Sequence, residues 1–215
     1  GRAMTERWVR QRRDDAFWKK AKREGYRSRA AYKLMQIQAR YRIIRRGALV
    51  VDLGASPGGW SQAALEMVGE RGGVIGVDLD KIRKLPPARF IKGDMTKPET
   101  LADVRRELAE MRPTGRGADT VISDMSPNIS GVYSVDQARS VVLSRKALAT
   151  SRALLRPGGN FCVKVFEGED FARLLAEVRR SFAFVKVHSP EASRAQSSEV
   201  YIVAKGFRKG AGRAG

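Results

Sequence analysis

Cysteine and histidine are almost absent from this sequence of 215 residues. The one cysteine, Cys162, has no partner for an intramolecular disulfide, and no Cys/His cluster exists that would hold zinc. The one histidine, His188, lies in the apolar-alternating segment 184–188, so we interpret it as structural and expect no histidine-based catalytic triad. A reducing compartment and a site without metal are therefore expected.

Long apolar runs are also missing. No stretch of about 18 apolar residues occurs, which excludes a membrane-spanning helix, and the first residues lack the apolar core of a secretory signal. We therefore expect a cytoplasmic protein. With 42% hydrophobic residues and a mean hydropathy of -0.39, the composition is typical of one folded domain.

Acidic residues are in deficit, since 23 Asp and Glu face 42 Lys and Arg, a net charge of +19. The excess lies at the ends: residues 1–46 hold 16 basic and 4 acidic residues, and residues 205–215 hold 4 basic and no acidic ones. This asymmetry favours a long polyanion as partner, the alternative being charge that serves only solubility. We expect a basic arm and helix at 1–46 that bind nucleic acid, a core at 47–204, and a basic glycine-rich tail at 205–215.

Strand and helix patterns alternate along the core. Apolar runs predict strands at 48–53, 74–77, 89–91, 120–123, 161–166, 184–188 and 199–204. Helical patterns follow at 60–68, 99–111, 135–155 and 170–182, and an earlier amphipathic helix begins at Ser28 as its N-cap and ends before Gly47. This alternation indicates an α/β fold with a doubly wound sheet.

Four aspartates fall at or near predicted strand ends: Asp52, Asp78, Asp94 and Asp124. In doubly wound sheets, ligands bind in the crevice outside the carboxyl ends of the strands. Asp78 follows the glycine-rich loop 54–59 by about twenty residues, the separation at which an acid accepts both ribose hydroxyls of a nucleoside. The alternative for any one of them is a capping or turn residue.

The loop 54–59 matches neither Gly-x-Gly-x-x-Gly nor a P-loop, which disfavours phosphate binding. Its glycines would let the backbone approach a ligand, with Trp60 as a flat wall beside it; the alternative is a tight turn and a core tryptophan. Lys164 is a charge inside a predicted buried strand, which indicates either function or the protection of an edge strand. Lys33 and Glu199 taken singly give weaker signals, because an ordinary surface charge is the alternative for each.

Five blocks of the sequence resemble the FtsJ/RrmJ family of S-adenosylmethionine-dependent RNA ribose 2′-O-methyltransferases. They are residues 27–34, 52–62, 123–128, 158–166 and 193–201, and the resemblance extends from about Trp8 to Gly206. The sequence is most similar to the bacterial-type branch, which methylates a uridine in the A-loop of large-subunit ribosomal RNA. Ser56 departs from the alanine that many relatives carry.

The resemblance implies a Rossmann-like methyltransferase fold with a seven-stranded, mostly parallel sheet whose last strand is antiparallel. It implies a catalytic tetrad of Lys33, Asp124, Lys164 and Glu199. It also implies contacts to S-adenosylmethionine, whose product is S-adenosylhomocysteine, from Gly58, Trp60, Asp78, Asp94 and Asp124, with Asp78 on the ribose and Asp94 near the adenine.

Lys164 is the candidate base for this chemistry. A methyl group on a sulfonium is already electrophilic, so the enzyme must align it with the 2′-hydroxyl and manage the hydroxyl proton. Burial and the charge of Lys33 favour a neutral Lys164, whereas Asp124 and Glu199 oppose it. The alternative is a charged Lys164 that only orients the hydroxyl, with late proton loss.

The implied partner is large-subunit ribosomal RNA in an assembled or assembling subunit, bound by a monomer. Basic residues of 1–46, interleaved with Trp8, Phe17, Trp18 and Tyr26, suit the phosphates and stacked bases of an unpaired loop. Three alternatives stay open: a transfer-RNA or messenger-cap enzyme of the same family, a non-catalytic ribosome-assembly factor, and a small-molecule methyltransferase, which the charge asymmetry disfavours.

Overall fold

The computed structural model describes Ala16, residues 19–190 and residues 198–210. Its strands are β1 (Leu49–Leu53), β2 (Gly73–Asp78), β3 (Arg89–Lys92), β4 (Ala118–Ser123), β5 (Leu155–Phe166), β6 (Phe182–His188) and β7 (Glu199–Phe207). Its helices are α1 (Ala30–Tyr41), α2 (Gly59–Val68), α3 (Pro98–Met111), α4 (Tyr133–Leu154) and α5 (Phe171–Ser181), and residues 19–24 form a further helical stretch ahead of α1. Among these residues, no helix combines the length and the apolarity that crossing a bilayer requires.

The strands form one sheet in the order β3-β2-β1-β4-β5-β7-β6. Neighbouring strands are parallel except where β7 takes part, because β7 runs antiparallel to both β5 and β6. The prediction of a seven-stranded, mostly parallel sheet with an antiparallel last strand is confirmed. The strand order reverses between β1 and β4, so the carboxyl ends of these two strands form the crevice in which such sheets bind ligands.

Helices cover both faces of the sheet. Successive residues of a strand point to opposite faces, and in β1 Val50 packs with α1 and α2 while Val51 packs with α3, α4 and α5. Helix α1 fulfils the amphipathic pattern by burying Leu34 and Ile37 completely. Each such side chain contributes about 1.5–3 kcal/mol relative to an exposed one, so α1 is a core element rather than a mobile arm.

The predicted start of α1 was wrong by one residue, and its predicted end before Gly47 is confirmed. Arg29, not Ser28, occupies the N-cap position, and no side chain caps the helix. The Ser28 hydroxyl instead lies against Gly59, where an added Cβ would come within 2.1 Å of it. The helix ends at Tyr41 because Arg42 turns into the left-handed conformation, with its N–H bonded to the carbonyl of Gln38.

Strand β5 begins earlier than the apolar pattern predicts. It starts at Leu155, directly after α4, and includes the segment 157–159 that we interpreted as a helix stop before the strand. Ala118 pairs with Leu155 while Thr120 pairs with Asn160, so the extra residues of β5 form an irregularity in the pairing with β4. Proline and glycine at 157–159 therefore lie within the strand at a bulge.

Candidate active site

The four residues of the predicted tetrad meet at one place, although they are far apart in sequence. Strands β4, β5 and β7 are neighbours, and Ile122, Cys162 and Tyr201 point from them into the core beneath α1 and α2. Within a strand, side chains two residues apart point to the same face. Asp124, Lys164 and Glu199 are each two residues from one of these core residues, so they lie together on that face. Lys33 reaches the same point from α1, the helix that covers this face.

The tetrad forms a chain of alternating charges. Lys164 Nζ lies 3.4 Å from Asp124 Oδ1 and 3.9 Å from Glu199 Oε1. Lys33 Nζ lies 3.5 Å from Glu199 Oε2. The side chain of Lys164 is 7% exposed, and a charge so deeply buried requires compensation by opposite charges. Lys164 therefore lies inside the sheet as part of this cluster, not as a protective charge on an edge strand.

Tyr201 completes this cluster and was not among the predicted site residues. Its O–H donates to Asp124 Oδ1 at 2.6 Å, and it lies directly opposite Lys164 in the pairing of β5 with β7. Burial, reinforced by nearby Asp124, raises the pKa of Tyr201 well above its usual value, so the phenol remains a hydrogen-bond donor. Its place in the block 193–201 was the available signal, but a tyrosine in an apolar strand is usually a core residue.

A cleft of about 920 Å³ opens at the carboxyl ends of β1, β2, β3 and β4, beside the tetrad. Three predicted residues line it, namely Asp78, Asp94 and Asp124, together with Gly54 of the glycine-rich loop. Apolar side chains such as Met125 and Leu143 form other parts of its wall. The volume and the mixed lining are those of a small-molecule site, and Asp124 belongs to both the cleft and the tetrad.

Main-chain groups hold the two outer aspartates of the cleft in place. Asp78 accepts the N–H of Ser56 at 3.0 Å and that of Asp80 at 2.8 Å, so it joins the glycine-rich loop to the loop after β2. Asp94 accepts the hydroxyl of Thr96 at 2.7 Å and its N–H at 2.8 Å. These bonds, the hydroxyl first, lower the pKa of Asp94, so this carboxylate stays ionised.

The sequence profile of the FtsJ-like methyltransferases matches residues 26–207. This chain belongs to that family. It is 52% identical over 191 residues to ribosomal RNA large subunit methyltransferase E of Methanothrix thermoacetophila, covering 89% of this chain and 72% of that protein. It is 43% identical over 204 residues to the protein of the same name from Pseudomonas paraeruginosa, covering 95% and 96%.

A crystal structure shows the same architecture. A protein of Plasmodium falciparum assigned as a ribosomal RNA methyltransferase superposes with a TM-score of 0.74 at 28% identity, over 85% of this chain and 98% of that one. The fold predicted from the resemblance to the FtsJ family is therefore confirmed by both sequence and structure.

Two residues expected at the cofactor do not line the cleft in the described part of this FtsJ-like chain: Gly58 and Trp60. The indole of Trp60 is 3% exposed, donates its N–H to the carbonyl of Ala30 at 2.7 Å and stacks on Tyr201. The expectation of a flat wall beside the ligand was wrong, and the core alternative is correct. A cofactor contact from the main chain of either residue stays a prediction.

The fourth strand-end aspartate, Asp52, is buried rather than exposed to the cleft. Its Oδ2 accepts the hydroxyl of Ser61 at 2.7 Å. Burial, with a smaller contribution from the charges of Asp124 and Asp78, raises the pKa of Asp52 to about 7. Asp52 therefore supports the start of α2 from within the core and titrates near neutral pH.

The basic N-terminal region is only partly described. Residues 1–15 and 17–18, which include Trp8, Phe17 and Trp18, lie outside the described residues, as do residues 191–197 of the block 193–201 and the tail from 211 onward. Arg27 donates to the carbonyls of Arg83 at 2.5 Å, Lys84 at 2.6 Å and Pro57 at 3.2 Å. The segment ahead of α1 is thus attached to loops on the cleft side of this FtsJ-like fold.

Proposed function

We propose that this chain transfers a methyl group from S-adenosylmethionine to a ribose 2′-hydroxyl of large-subunit ribosomal RNA, at the uridine of the A-loop. The observation that carries the proposal is the meeting of Lys33, Asp124, Lys164 and Glu199 beside an aspartate-lined cleft. The substrate class comes from the relatives, which carry the name ribosomal RNA large subunit methyltransferase E. We place the enzyme in the cytoplasm as a monomer that acts on an assembled or assembling subunit.

The residues of the cleft fit the proposed cofactor. Asp78 at the end of β2 suits the ribose hydroxyls of a nucleoside, and Asp94 after β3 suits the neighbourhood of the adenine. Asp124 and Asp80 bring the lining to four carboxylates, which favours a ligand with a positive sulfonium. When bound, S-adenosylmethionine supplies an electrophilic methyl group, and S-adenosylhomocysteine is the product.

In this proposal Lys164 accepts the proton of the 2′-hydroxyl. With S-adenosylmethionine bound, the 2′-oxygen would take the methyl group that leaves the sulfonium, and the hydroxyl proton would pass to Lys164 Nζ, which must first have released its own ammonium proton. Asp124 at 3.4 Å and Glu199 at 3.9 Å then stabilise the resulting ammonium. Tyr201 holds Asp124, and Lys33 holds Glu199. A positioned general base of this kind contributes roughly 10²–10⁴ in rate.

The loop that follows β4 suits an unpaired nucleotide as acceptor. Met125, Ser126, Pro127 and Asn128 line the cleft, and the next apolar residues are largely exposed, Ile129 by 65% and Tyr133 by 50%. Sequence-specific proteins commonly bind splayed RNA bases on such apolar and aromatic side chains. The acceptor therefore enters over this loop in a single-stranded segment.

The test is the transfer of labelled methyl to three acceptors: large subunits that lack the modification, deproteinised ribosomal RNA, and transfer RNA. Lys164→Ala is assayed alongside Lys186→Ala, which removes an exposed lysine from β6, and cofactor affinity is measured for both variants. We expect label on a ribose 2′-oxygen of the A-loop uridine, its loss in Lys164→Ala with cofactor binding retained, and no effect of Lys186→Ala.

Other outcomes reassign the protein. Label on transfer RNA alone makes it a transfer-RNA enzyme of the same family. No label on any acceptor, despite measurable cofactor binding, makes it a non-catalytic assembly factor. Loss of cofactor affinity together with activity in Lys164→Ala gives Lys164 a structural role.

A further inference from the structure

A second groove, of about 400 Å³, lies at the edge of the sheet opposite to the cleft. Its walls come from the segment between α1 and β1, from the starts of β4 and β5 and from the end of antiparallel β7. Six of its lining residues are cations: Arg42, Arg45, Arg46, Arg112, Arg156 and Lys205. One lining residue, Asp119, is acidic.

The positive charge of this groove is compensated only in part. Asp119 pairs with Arg112 at 2.8 Å and with Arg156 at 2.5 Å. Within residues 19–190 and 198–210, the other four cations form no ion pair with a carboxylate; Lys205 donates to the carbonyl of Tyr41 at 2.9 Å. Arginine side chains with exposed donors in a concave surface are suited to bind phosphate.

The cleft has the opposite electrostatic character. Its lining holds the four aspartates named above against two cations, Arg139 and Lys146. A phosphate backbone gains little attraction from such a surface, so cations elsewhere must supply most of the affinity for RNA. The groove is a concentrated source of such cations on the described surface.

We propose that this groove binds the phosphodiester backbone of the same RNA molecule that presents the acceptor ribose, at a segment distant from the acceptor. The inference rests on the proposed function. Helix α1 links the two places, because it carries Lys33 at the tetrad and ends next to Arg42 at the groove. Nine residues of helix span about 14 Å, and the groove opens at the opposite edge of the sheet from the cleft, so an RNA must extend around this face of the protein to occupy both places.

The test compares two triple variants of the full chain. Arg42→Gln/Arg45→Gln/Arg46→Gln removes three groove cations, and Arg173→Gln/Arg179→Gln/Arg180→Gln removes three exposed cations from α5. Binding and methylation are measured with deproteinised full-length ribosomal RNA and with a short hairpin that contains the acceptor. Cofactor affinity and thermal unfolding verify that both variants fold.

We expect the groove variant to lose affinity for full-length RNA by roughly tenfold at 0.15 M salt, and its log–log salt slope to fall by about 2 to 3. The wild type prefers the full-length RNA to the hairpin, and the groove variant should lose this preference. The α5 variant keeps both the preference and the slope.

Two results would overturn the inference: unchanged affinity for full-length RNA, or an equal loss on the hairpin. The binding measurement does not depend on methyl transfer. A wild-type chain that binds RNA in the groove yet methylates nothing would therefore contradict the proposed function and leave the groove assignment standing.

Discussion

At the scale of single residues, Tyr201 controls the orientation of Asp124. Tyr201→Phe removes the O–H donor and keeps the ring that stacks on Trp60. We expect methyl transfer to slow by about tenfold, because Asp124 no longer has a fixed position beside Lys164. Stability should fall by about 1.5–3 kcal/mol, as for a lost hydrogen bond to a charged group.

Single-turnover kinetics and urea unfolding measure these two effects for Tyr201→Phe. Tyr26→Phe is the matched control, since its phenol donates to Glu66 at 2.6 Å away from the tetrad. A transfer rate for Tyr201→Phe equal to that of Tyr26→Phe would show that Asp124 keeps its position without the phenol.

Asp52 makes stability depend on pH near neutrality. Its pKa is about 7 in the folded chain and about 4 when unfolded, so the folded state holds the proton more tightly. This contribution to stability is complete below about pH 4 and is lost as the pH rises towards 7, by on the order of 4 kcal/mol. Asp52→Asn should remove that loss.

Urea unfolding of wild type and Asp52→Asn between pH 4 and 8 measures the difference. The stability of the variant relative to wild type should increase as the pH rises, since asparagine keeps a polar partner for Ser61 without a titrating proton. A difference that is constant with pH would show that Asp52 does not titrate in this range.

At the scale of elements, Arg27 connects the segment ahead of α1 to two loops of the cleft. Its guanidinium donates to the carbonyls of Pro57, Arg83 and Lys84. Gly58, at a φ of 115°, leaves room for this side chain, because a Cβ there would lie 3.0 Å from Arg27 Nη1. Arg27→Ala should weaken cofactor binding about tenfold, because loops that are no longer held in place must be ordered on binding.

Titration calorimetry with S-adenosylmethionine tests this prediction. Arg23→Ala removes an exposed arginine of the preceding helical stretch and is the matched control. Equal affinities of the two variants would mean that the loops hold their positions without Arg27.

The limits of elements were harder to predict than their types. The N-cap of α1 was predicted one residue too early, and β5 was predicted to begin later than it does. Hydrophobic periodicity is set by neighbours in sequence, whereas the end of α1 depends on the left-handed turn at Arg42. The start of β5 depends on pairing with β4. A local pattern shows neither the backbone conformation at Arg42 nor the strand with which β5 pairs.

At the scale of the whole molecule, the N-terminal positive charge divides between two places. Arg42, Arg45 and Arg46 lie at the groove, while Lys19, Lys22 and Arg23 belong to the segment that Arg27 attaches to the cleft side. Lys19→Gln/Lys22→Gln/Arg23→Gln should therefore weaken binding of the acceptor hairpin as well as of long RNA. The salt slope should fall by about 2 to 3 for both.

Filter binding at several salt concentrations measures these slopes, with the α5 triple variant as control. Unchanged salt slopes on both RNAs would mean that the charges of this segment do not bind RNA and serve only solubility, which is the alternative that the composition leaves open.

The sequence by itself determined the kinds of elements and the cleft. Periodicity is a local property, and aspartates at the ends of parallel strands gather at one edge of the sheet. The predicted strand ends therefore placed Asp78, Asp94 and Asp124 in one crevice. The prediction that Trp60 forms a wall of the ligand site was wrong, because an indole suits a ligand site and a protein core equally well.

Only the tertiary structure decided how the tetrad and the groove are assembled. Lys33 and Glu199 give no local signal and were named only through the family resemblance. They meet Lys164 because β7 inserts antiparallel beside β5 and α1 packs over both. The same insertion brings Lys205 to the arginines that follow α1. Strand order is set by packing between segments that are distant in sequence, so no local sequence pattern predicts these contacts.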